Sequence, residues 1–229
     1  MNEKIQAVTH ILFDMDGLLL NTEDLYTVAF QNILSRFGKT YTWELKLKLM
    51  GSQSHETATK IIEELELPMT VDEFLVESKK QFELLFPECE LLPGARKLIE
   101  HLLKHKVPIG LATSSSIESY ELKAKKHKEF FDSFPYKTFG SSDPEVKRGK
   151  PYPDIFLVAA QKFPDKPAPQ KVLVFEDSVN GVLAAVAAGM QVVMVPDSRL
   201  DKAKTKDATV TIDTLLDFKP EIFGLPAFD

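Results

Sequence analysis

The chain has 229 residues, of which 44% are hydrophobic and 27% are charged, and this composition excludes a globally disordered protein. The net charge of −6 argues against a nucleic-acid-binding body, which would usually be basic. A single cysteine excludes an internal disulfide, and we see neither a signal peptide nor an apolar run near the roughly 18 residues of a membrane span, so we expect a cytoplasmic protein without membrane or nucleic-acid partners.

Short apolar runs rich in β-favouring residues predict buried strands along the chain. The first run, 8–13, stops at Asp14. The later runs lie at 107–112, 136–139, 171–175, 191–195 and, more weakly, 208–211. Helical periodicity occurs between them, as in 94–105 and in the alanine-rich segment 178–188. This alternation predicts an α/β fold, a Rossmann-like doubly wound parallel sheet covered by helices.

Residues 22–86 interrupt the alternation. Only helical patterns occur there, and they cover 22–37, 55–66 and 71–86. Thr22 is predicted to cap the first of these helices. Because a helix-only block follows the first strand of an α/β sheet, we expect a separate inserted domain. The predicted division is a core formed by 1–20 and 92–229, with a helical cap at 21–91.

Four groups of polar residues follow predicted strands. They are Asp14 with Asp16, the hydroxyl-rich turn 113–116, Lys150 on the loop 149–154, and Glu176 with Asp177. Each group alone has an ordinary interpretation as a helix cap, a solvated acid pair or an exposed lysine. In open α/β sheets, however, ligands bind beyond the carboxyl ends of the strands, so the four groups are expected to converge. Carboxylates suit a divalent cation, and hydroxyls, amides and a lysine suit phosphate oxygens.

In this order, the four groups resemble the motifs of the haloacid dehalogenase-like hydrolases, and the resemblance covers essentially the whole chain. The matching positions are Asp14-x-Asp16-Gly17 for the first motif, Thr113 for the second, Lys150 for the third and Glu176-Asp177 for the fourth. The helical insertion resembles the cap that these enzymes carry between the first two motifs. The resemblance implies a Mg²⁺-dependent phosphomonoesterase acting on a small sugar or nucleotide phosphate, with pseudouridine 5′-phosphate as the first candidate.

The resemblance also implies a role for each catalytic residue. Asp14 is expected to attack phosphorus and form an aspartyl-phosphate. Asp16 is expected to protonate the leaving alcohol and then to activate the water that hydrolyses this intermediate. The Thr113 hydroxyl, the Ser114 N–H and the Lys150 ammonium are expected to bind the phosphoryl oxygens. Repulsion between a carboxylate and an anionic phosphoryl group explains why a metal and a lysine are needed.

The same resemblance implies the ligands of the metal. Asp14, the backbone carbonyl of Asp16 and Asp177 are expected to ligate Mg²⁺. Glu176 is expected either to ligate Mg²⁺ as well or to hold a metal-bound water. The expected partner is a small phosphorylated metabolite, and we expect the protein to be a monomer.

Three other functions compete with this prediction. A phosphohexomutase needs a cation in its cap for a second phosphate, but the loop 50–55 has no Arg or Lys, and related mutases have an arginine near the place of Ser54. A dehalogenase would not need Asp16 as a second acid. A phosphate-binding scaffold without turnover does not explain why the full set of catalytic residues is present. Gln53, Ser54 and His55 are candidates for substrate contacts on the cap loop.

Some features remain outside this scheme. The basic run Lys123–Lys128 is predicted to be a solvated helix face, because the protein as a whole is acidic. Asn21 stands where many relatives have Asp; Asn can still cap a helix or hydrogen-bond across the hinge to the cap, so we expect a small effect on catalysis. Asp143 is a candidate partner of Lys150 or of the metal site.

Overall fold

The computed structural model describes residues 5–50 and 52–228. A six-stranded parallel sheet with the order β3-β2-β1-β4-β5-β6 forms its centre. The strands are β1 (His10–Phe13), β2 (Ile109–Thr113), β3 (Tyr136–Phe139), β4 (Val172–Glu176), β5 (Gln191–Met194) and β6 (Val210–Thr211). The chain builds outward from β1 in one direction and from β4 in the other. The predicted doubly wound parallel sheet is thus confirmed, and its switch point lies between β1 and β4.

Helices cover both faces of the sheet. They are α5 (Ala95–Lys104), α6 (Ile117–Ala124), α7 (Lys128–Asp132), α8 (Asp154–Gln161) and α9 (Val179–Ala187). In β1, Ile11 and Phe13 pack with residues of α5 and α7, whereas Leu12 packs with α8 and α9. Because successive side chains of a strand point to opposite faces, four consecutive buried residues place β1 at the centre of two hydrophobic layers.

Residues 22–86 form a helical block beside the sheet. Its helices are α1 (Thr22–Leu34), α2 (Trp43–Leu49), α3 (Ser54–Leu65) and α4 (Val71–Leu85). They share their own buried cluster, which includes Phe30, Tyr41 and Phe74. The sequence patterns do not predict α2, because its 7 residues are too few to show a clear period. In the described part of the chain, no helix is long and apolar enough to cross a membrane.

The two connections to the helical block run side by side. The N–H of Asn21 donates to the Glu90 carbonyl at 3.0 Å, and the N–H of Leu92 donates to the Leu19 carbonyl at 2.9 Å. The Asn21 side chain accepts a bond of 2.7 Å from the Glu90 N–H, so it bridges the two segments as expected. The predicted Thr22 cap is wrong, because Asn21 occupies the N-cap position and Thr22 is the first helical residue. We propose that the core and cap domains divide at 21 and 91.

Side-chain contacts join the helical block to the core. The Arg199 guanidinium lies 4.3 Å from the ring centre of Trp43 in α2. The Gln53 side-chain amide donates to the Gly140 carbonyl at 2.9 Å, and that of Asn180 donates to the Met50 carbonyl at 2.9 Å. These contacts hold the first turns of α3 and α9 near the carboxyl edge of the sheet.

Candidate active site

The carboxyl ends of β1, β2 and β4 meet at the switch point of the sheet. Phe13 pairs with Leu111 on one side and with Phe175 on the other, so the residues that follow these strands are neighbours. The Asp14 N–H donates to the Phe175 carbonyl at 3.0 Å and continues the ladder by one step. The chain then turns away at Gly17, whose φ of +75° lies in the left-handed region that glycine favours. A Cβ at Gly17 would lie only 2.2 Å from the Asp177 Oδ2, so the close approach itself requires glycine.

Lys150 is buried between two carboxylates. Its Nζ lies 2.5 Å from the Asp14 Oδ1 and also contacts the Glu176 Oε1. Burial opposes the charge of Lys150, but the two carboxylates outweigh this effect and raise its pKa above the ordinary value. The lysine is therefore a fixed cation beside Asp14.

Asp14 is a buried carboxyl group in a crowded acidic site. Burial raises its pKa to about 7, Lys150 opposes this rise, and the charges of Glu176 and Asp16 add to it. Burial, followed by Glu176 and other nearby acids, likewise raises the pKa of Asp177 well above its usual range. The site thus holds more carboxylate charge than Lys150 alone neutralises.

Glu176 is fully engaged by protein donors. One of its oxygens accepts from Lys150, and the other accepts from the Asp177 N–H, the Ser178 N–H and the Ser178 hydroxyl at 3.1, 3.1 and 3.0 Å. A Cβ at Gly181 would lie 1.9 Å from the Glu176 Cδ, so α9 can approach this carboxylate only with glycine at that position. These contacts suit a residue that positions Lys150 better than one that ligates a metal.

Two carboxylates remain as candidates to hold a metal ion. Within the described residues, no group of three or more His, Cys, Asp or Glu side chains forms a metal cage. Mg²⁺ does not need such a cage, because it is usually bound by one or two carboxylates together with waters and substrate phosphate. Burial and neighbouring acids raise the pKa values of Asp14 and Asp177 by disfavouring their charged forms, which a divalent cation would favour, so these residues fit Mg²⁺.

Asp16 faces a second buried lysine, Lys123. The Lys123 Nζ lies 2.6 Å from the Asp16 Oδ1, and its side chain is fully buried. Burial alone would raise the pKa of Asp16, but Lys123 and hydrogen bonds from Thr22 and Ser115 lower it below the ordinary value. Asp16 is therefore an ionised carboxylate in this structure.

The prediction of a solvated face for Lys123–Lys128 is wrong at Lys123. Tyr120, Lys123 and Ala124 lie on the inward face of α6, and Ala124 is buried in the core. The available signal was a lysine at an apolar position of the helical period, three residues after an aromatic one.

The turn after β2 brings hydroxyls to the site. Thr113 is fully buried, and its hydroxyl lies 3.4 Å from the Asp16 Oδ2 and accepts from the Ser115 N–H at 3.2 Å. Ser114 lies in the cavity wall beside Asp14 and Asp16. Ser115, which the sequence analysis did not single out, donates to the Asp16 Oδ2 at 3.0 Å. Ser116 caps α6, and its hydroxyl accepts from the Ser119 N–H.

A cavity of about 80 Å³ leads from Asp14, Asp16 and Asp177 into the helical block. Its aromatic wall consists of Tyr26, Phe30, Tyr41, Phe74 and Phe82. Within the described residues, the hydroxyl oxygens of Ser52 and Ser78 are buried without a hydrogen-bond partner, and both serines line this cavity. Unsatisfied buried hydroxyls are costly and uncommon, so they point to a polar ligand.

The three residues of the cap loop that were predicted to contact substrate lie in different environments in the structure. Ser54 lines the cavity, Gln53 instead bonds to the core at Gly140, and His55 is exposed. Asp143 lies 2.6 Å from Lys162, and this ion pair accounts for its position without the metal site.

Comparisons with known proteins agree with this geometry. Residues 11–195 match the family model described as "Haloacid dehalogenase-like hydrolase". The chain is 53% identical to a "Probable pseudouridine-5'-phosphatase" of Drosophila melanogaster over 99% of this chain and 98% of the relative. It is 49% identical to "(DL)-glycerol-3-phosphatase 2" of Arabidopsis thaliana, over 97% and 94% of the two chains. Among solved structures, a "putative beta-phosphoglucomutase from Thermotoga maritima" is 30% identical with a TM-score of 0.70, covering 95% of this chain and 97% of that one.

Proposed function

The chain belongs to the haloacid dehalogenase-like hydrolases and is a phosphatase, and we propose that it cleaves small phosphomonoesters through an aspartyl-phosphate on Asp14. The observation that carries this proposal is the buried Asp14 carboxylate, 2.5 Å from Lys150 at the switch point of the sheet. A carboxylate fixed beside a buried cation is suited to attack an anionic phosphoryl group, because the cation offsets their repulsion.

In the first half of the reaction, an Asp14 oxygen attacks phosphorus and the bond from phosphorus to the ester oxygen breaks. Protonated Asp16 gives its proton to the leaving alkoxide, while Lys150 neutralises charge on the phosphoryl oxygens together with the Thr113 hydroxyl and the Ser114 N–H. In the second half, ionised Asp16 takes a proton from water as this water attacks the aspartyl-phosphate. The ionised state of Asp16 in this structure suits this second half.

The proposed cofactor is Mg²⁺. Asp14, Asp177 and the backbone carbonyl of Asp16 would hold it, and Glu176 would keep Lys150 in place rather than ligate. Bound there, Mg²⁺ would supply positive charge that offsets the repulsion between the carboxylates and an anionic phosphoryl group. The raised pKa values of Asp14 and Asp177 support this assignment.

We propose a nucleoside phosphate as the substrate class, with pseudouridine 5′-phosphate first. The relative at 53% identity carries the name of a pseudouridine-5′-phosphatase, and the aromatic cavity offers faces on which a planar base can stack. Pseudouridine is joined to its sugar through carbon, which leaves one more ring N–H than in uridine. The unpartnered hydroxyls of Ser52 and Ser78 are suited to accept such a donor.

The mutase alternative receives no support from the cavity. Among the described residues that line it, none is Lys or Arg, so no cation is placed for a second phosphate. The nearby Lys46 is already bound to the Glu23 carboxylate at 3.2 Å and to the Thr27 hydroxyl at 3.0 Å.

The test is hydrolysis of p-nitrophenyl phosphate with Mg²⁺ and with EDTA, followed by kcat/KM for a panel of substrates. The panel contains pseudouridine 5′-phosphate, uridine 5′-monophosphate, glycerol 3-phosphate and glucose 6-phosphate. We expect Mg²⁺-dependent turnover and the highest kcat/KM for pseudouridine 5′-phosphate. If glycerol 3-phosphate or glucose 6-phosphate is preferred, the substrate class is wrong while the catalytic assignments stand. Turnover that EDTA does not reduce would contradict the cofactor assignment.

A further inference from the structure

Lys123 has all three of its ammonium protons engaged inside the protein. Its Nζ contacts the Asp16 Oδ1 at 2.6 Å and donates to the Ser115 hydroxyl at 2.8 Å and to the Tyr26 hydroxyl at 2.8 Å. An ammonium group has three donors and no acceptor, so this set is complete. The side chain is fully buried, and a buried lysine is uncommon unless its charge is paired.

The Asp16 carboxylate is held by these contacts. Its Oδ1 accepts from Lys123 and, at 2.6 Å, from the Thr22 hydroxyl. Its Oδ2 accepts from the Ser115 hydroxyl at 3.0 Å, and this hydroxyl is itself held by Lys123. Lys123 therefore fixes both oxygens, one directly and one through Ser115.

The third partner of Lys123 belongs to the helical block. Tyr26 lies in α1, and its ring packs against Phe82 and Phe86 with centroid distances of 5.2 and 5.0 Å. The Lys123 Nζ also lies 4.8 Å from the centre of the Tyr26 ring and 4.9 Å from that of Phe86. One amine on α6 of the core thus joins the orientation of Asp16 to the position of α1.

We propose that Lys123, with Tyr26, is a positioning residue that orients Asp16 for hydrolysis of the aspartyl-phosphate when α1 is in place. This inference rests on the proposed function. In the step concerned, water forms a bond to phosphorus and the bond from phosphorus to the Asp14 oxygen breaks. Asp14 leaves as a free carboxylate, inorganic phosphate forms, and the proton of the water passes to Asp16. Lys123 does not line the cavity and acts through the orientation of Asp16.

The test separates the two halves of the reaction with p-nitrophenyl phosphate, whose leaving group needs no proton from Asp16. For this substrate kcat/KM reports transfer to Asp14, whereas kcat includes hydrolysis of the intermediate. In Lys123→Met we expect kcat to fall about 10- to 100-fold and kcat/KM to stay within about threefold, because misplacing a catalytic group by about 1 Å costs this order of rate. Hydrolysis then limits turnover, so rapid mixing should show a burst of p-nitrophenolate near one equivalent per protein.

Tyr26→Phe keeps the aromatic ring and removes only the hydroxyl. We expect the same pattern with a smaller loss of kcat, about 3- to 10-fold, because one hydrogen bond to the lysine is lost. This variant also keeps the test decisive if Lys123→Met does not fold. The matched control is Lys125→Met, the same change at an exposed lysine two residues further on, which should behave like the wild type.

Parallel losses of kcat and kcat/KM without a burst would show a merely structural role and overturn the inference. An unchanged kcat in Lys123→Met or Tyr26→Phe would overturn it as well. Failure of the proposed function is distinguishable, because the wild-type protein would then show no Mg²⁺-dependent turnover of p-nitrophenyl phosphate at all.

Discussion

Asp14 combines its proposed role as the nucleophile with a cost to stability, because its carboxyl group is buried. Replacing it by Asn removes the proposed nucleophile but keeps the shape of the side chain. We expect phosphatase activity to fall by more than about 10³-fold, because an amide cannot form the acyl-phosphate. Activity with p-nitrophenyl phosphate and Mg²⁺ measures this loss, and near-wild-type turnover of a folded sample would remove Asp14 from that role.

The same variant, Asp14→Asn, also tests how the buried Asp14 carboxyl group affects the stability of the folded protein. Burial raises the pKa of Asp14 from 3.8 to about 7, so the folded protein binds a proton that the unfolded chain has already released. The resulting stabilisation is complete below the unfolded pKa and is lost as the pH rises through the folded pKa. In EDTA, the Tm of Asp14→Asn relative to wild type should therefore rise by a few degrees between about pH 4 and pH 8. A difference in Tm that does not change with pH would contradict the raised pKa.

Substitutions of Asp177 and Lys150 are predicted to impair different properties of the enzyme, its Mg²⁺ requirement and its kcat/KM respectively. Asp177→Ala removes a proposed ligand, so the Mg²⁺ concentration for half-maximal activity should rise about 10-fold or more, as when one strong interaction of roughly 1.4 kcal/mol is lost. Lys150→Ala should instead lower kcat/KM while this Mg²⁺ concentration changes less. Titration of activity with Mg²⁺ checks both variants, and identical curves for wild type and Asp177→Ala would contradict the ligand assignment.

At the scale of the helices, α4 offers a test of the substrate proposal. Ser78 lies in α4 with a buried hydroxyl that has no partner among the described residues. Ser78→Ala should lower kcat/KM for pseudouridine 5′-phosphate about 5- to 10-fold, because one hydrogen bond to the ligand is lost. The kcat/KM for p-nitrophenyl phosphate should not change, since that substrate has no base.

Without substrate, the same substitution should raise the free energy of unfolding by about 1 kcal/mol, because it removes a buried hydroxyl that has no hydrogen-bond partner. The matched control is Ser198→Ala, which changes an exposed serine of the loop after β5 and should alter neither quantity. Equal losses of kcat/KM with both substrates would show that Ser78 acts through the fold rather than through the base.

The elements that the sequence predicts well are those with a strong local signal. The apolar runs before Asp14 and Glu176 are buried on both faces of the sheet, so their composition alone indicates central parallel strands. The catalytic candidates Asp14, Lys150 and Asp177 can be predicted from these strands, because the carboxyl ends of parallel strands lie at one edge of the sheet. Helix α2 and the cap at Asn21 have weaker local signals, since a short helix and a hinge depend on tertiary contacts.

Local sequence patterns could not predict the side chains that contact Asp16, nor could they predict the cavity. Lys123 is separated from Asp16 by 107 positions in the chain and meets it only in the folded protein, where its amine contacts both Asp16 and Tyr26 of α1. From the sequence alone, Lys123 is predicted to be an exposed lysine, because the sequence does not show which face of α6 packs against the core. The roles of Ser52 and Ser78 likewise become visible only when the fold brings the loop before α3 and helix α4 to one cavity.

For the whole molecule, we expect a monomer of 25.8 kDa in solution. The exposed large hydrophobic residues are spread over α1, α4, α5, α6, the loop before α8, α8, α9 and the C-terminal segment rather than gathered on one element. The net charge of −6 adds repulsion between copies. Light scattering coupled to size-exclusion chromatography measures the mass, and a stable value near twice the monomer mass would contradict this prediction.

The contact between Arg199 and Trp43 gives the protein an intrinsic optical signal. Trp43 is the single tryptophan of the chain, and it lies in α2 of the helical block while the guanidinium 4.3 Å from its ring comes from the core. Any movement that separates the helical block from the sheet takes this charge away from the indole. We therefore expect the emission of this one native fluorophore, with no label attached, to change whenever such a separation occurs.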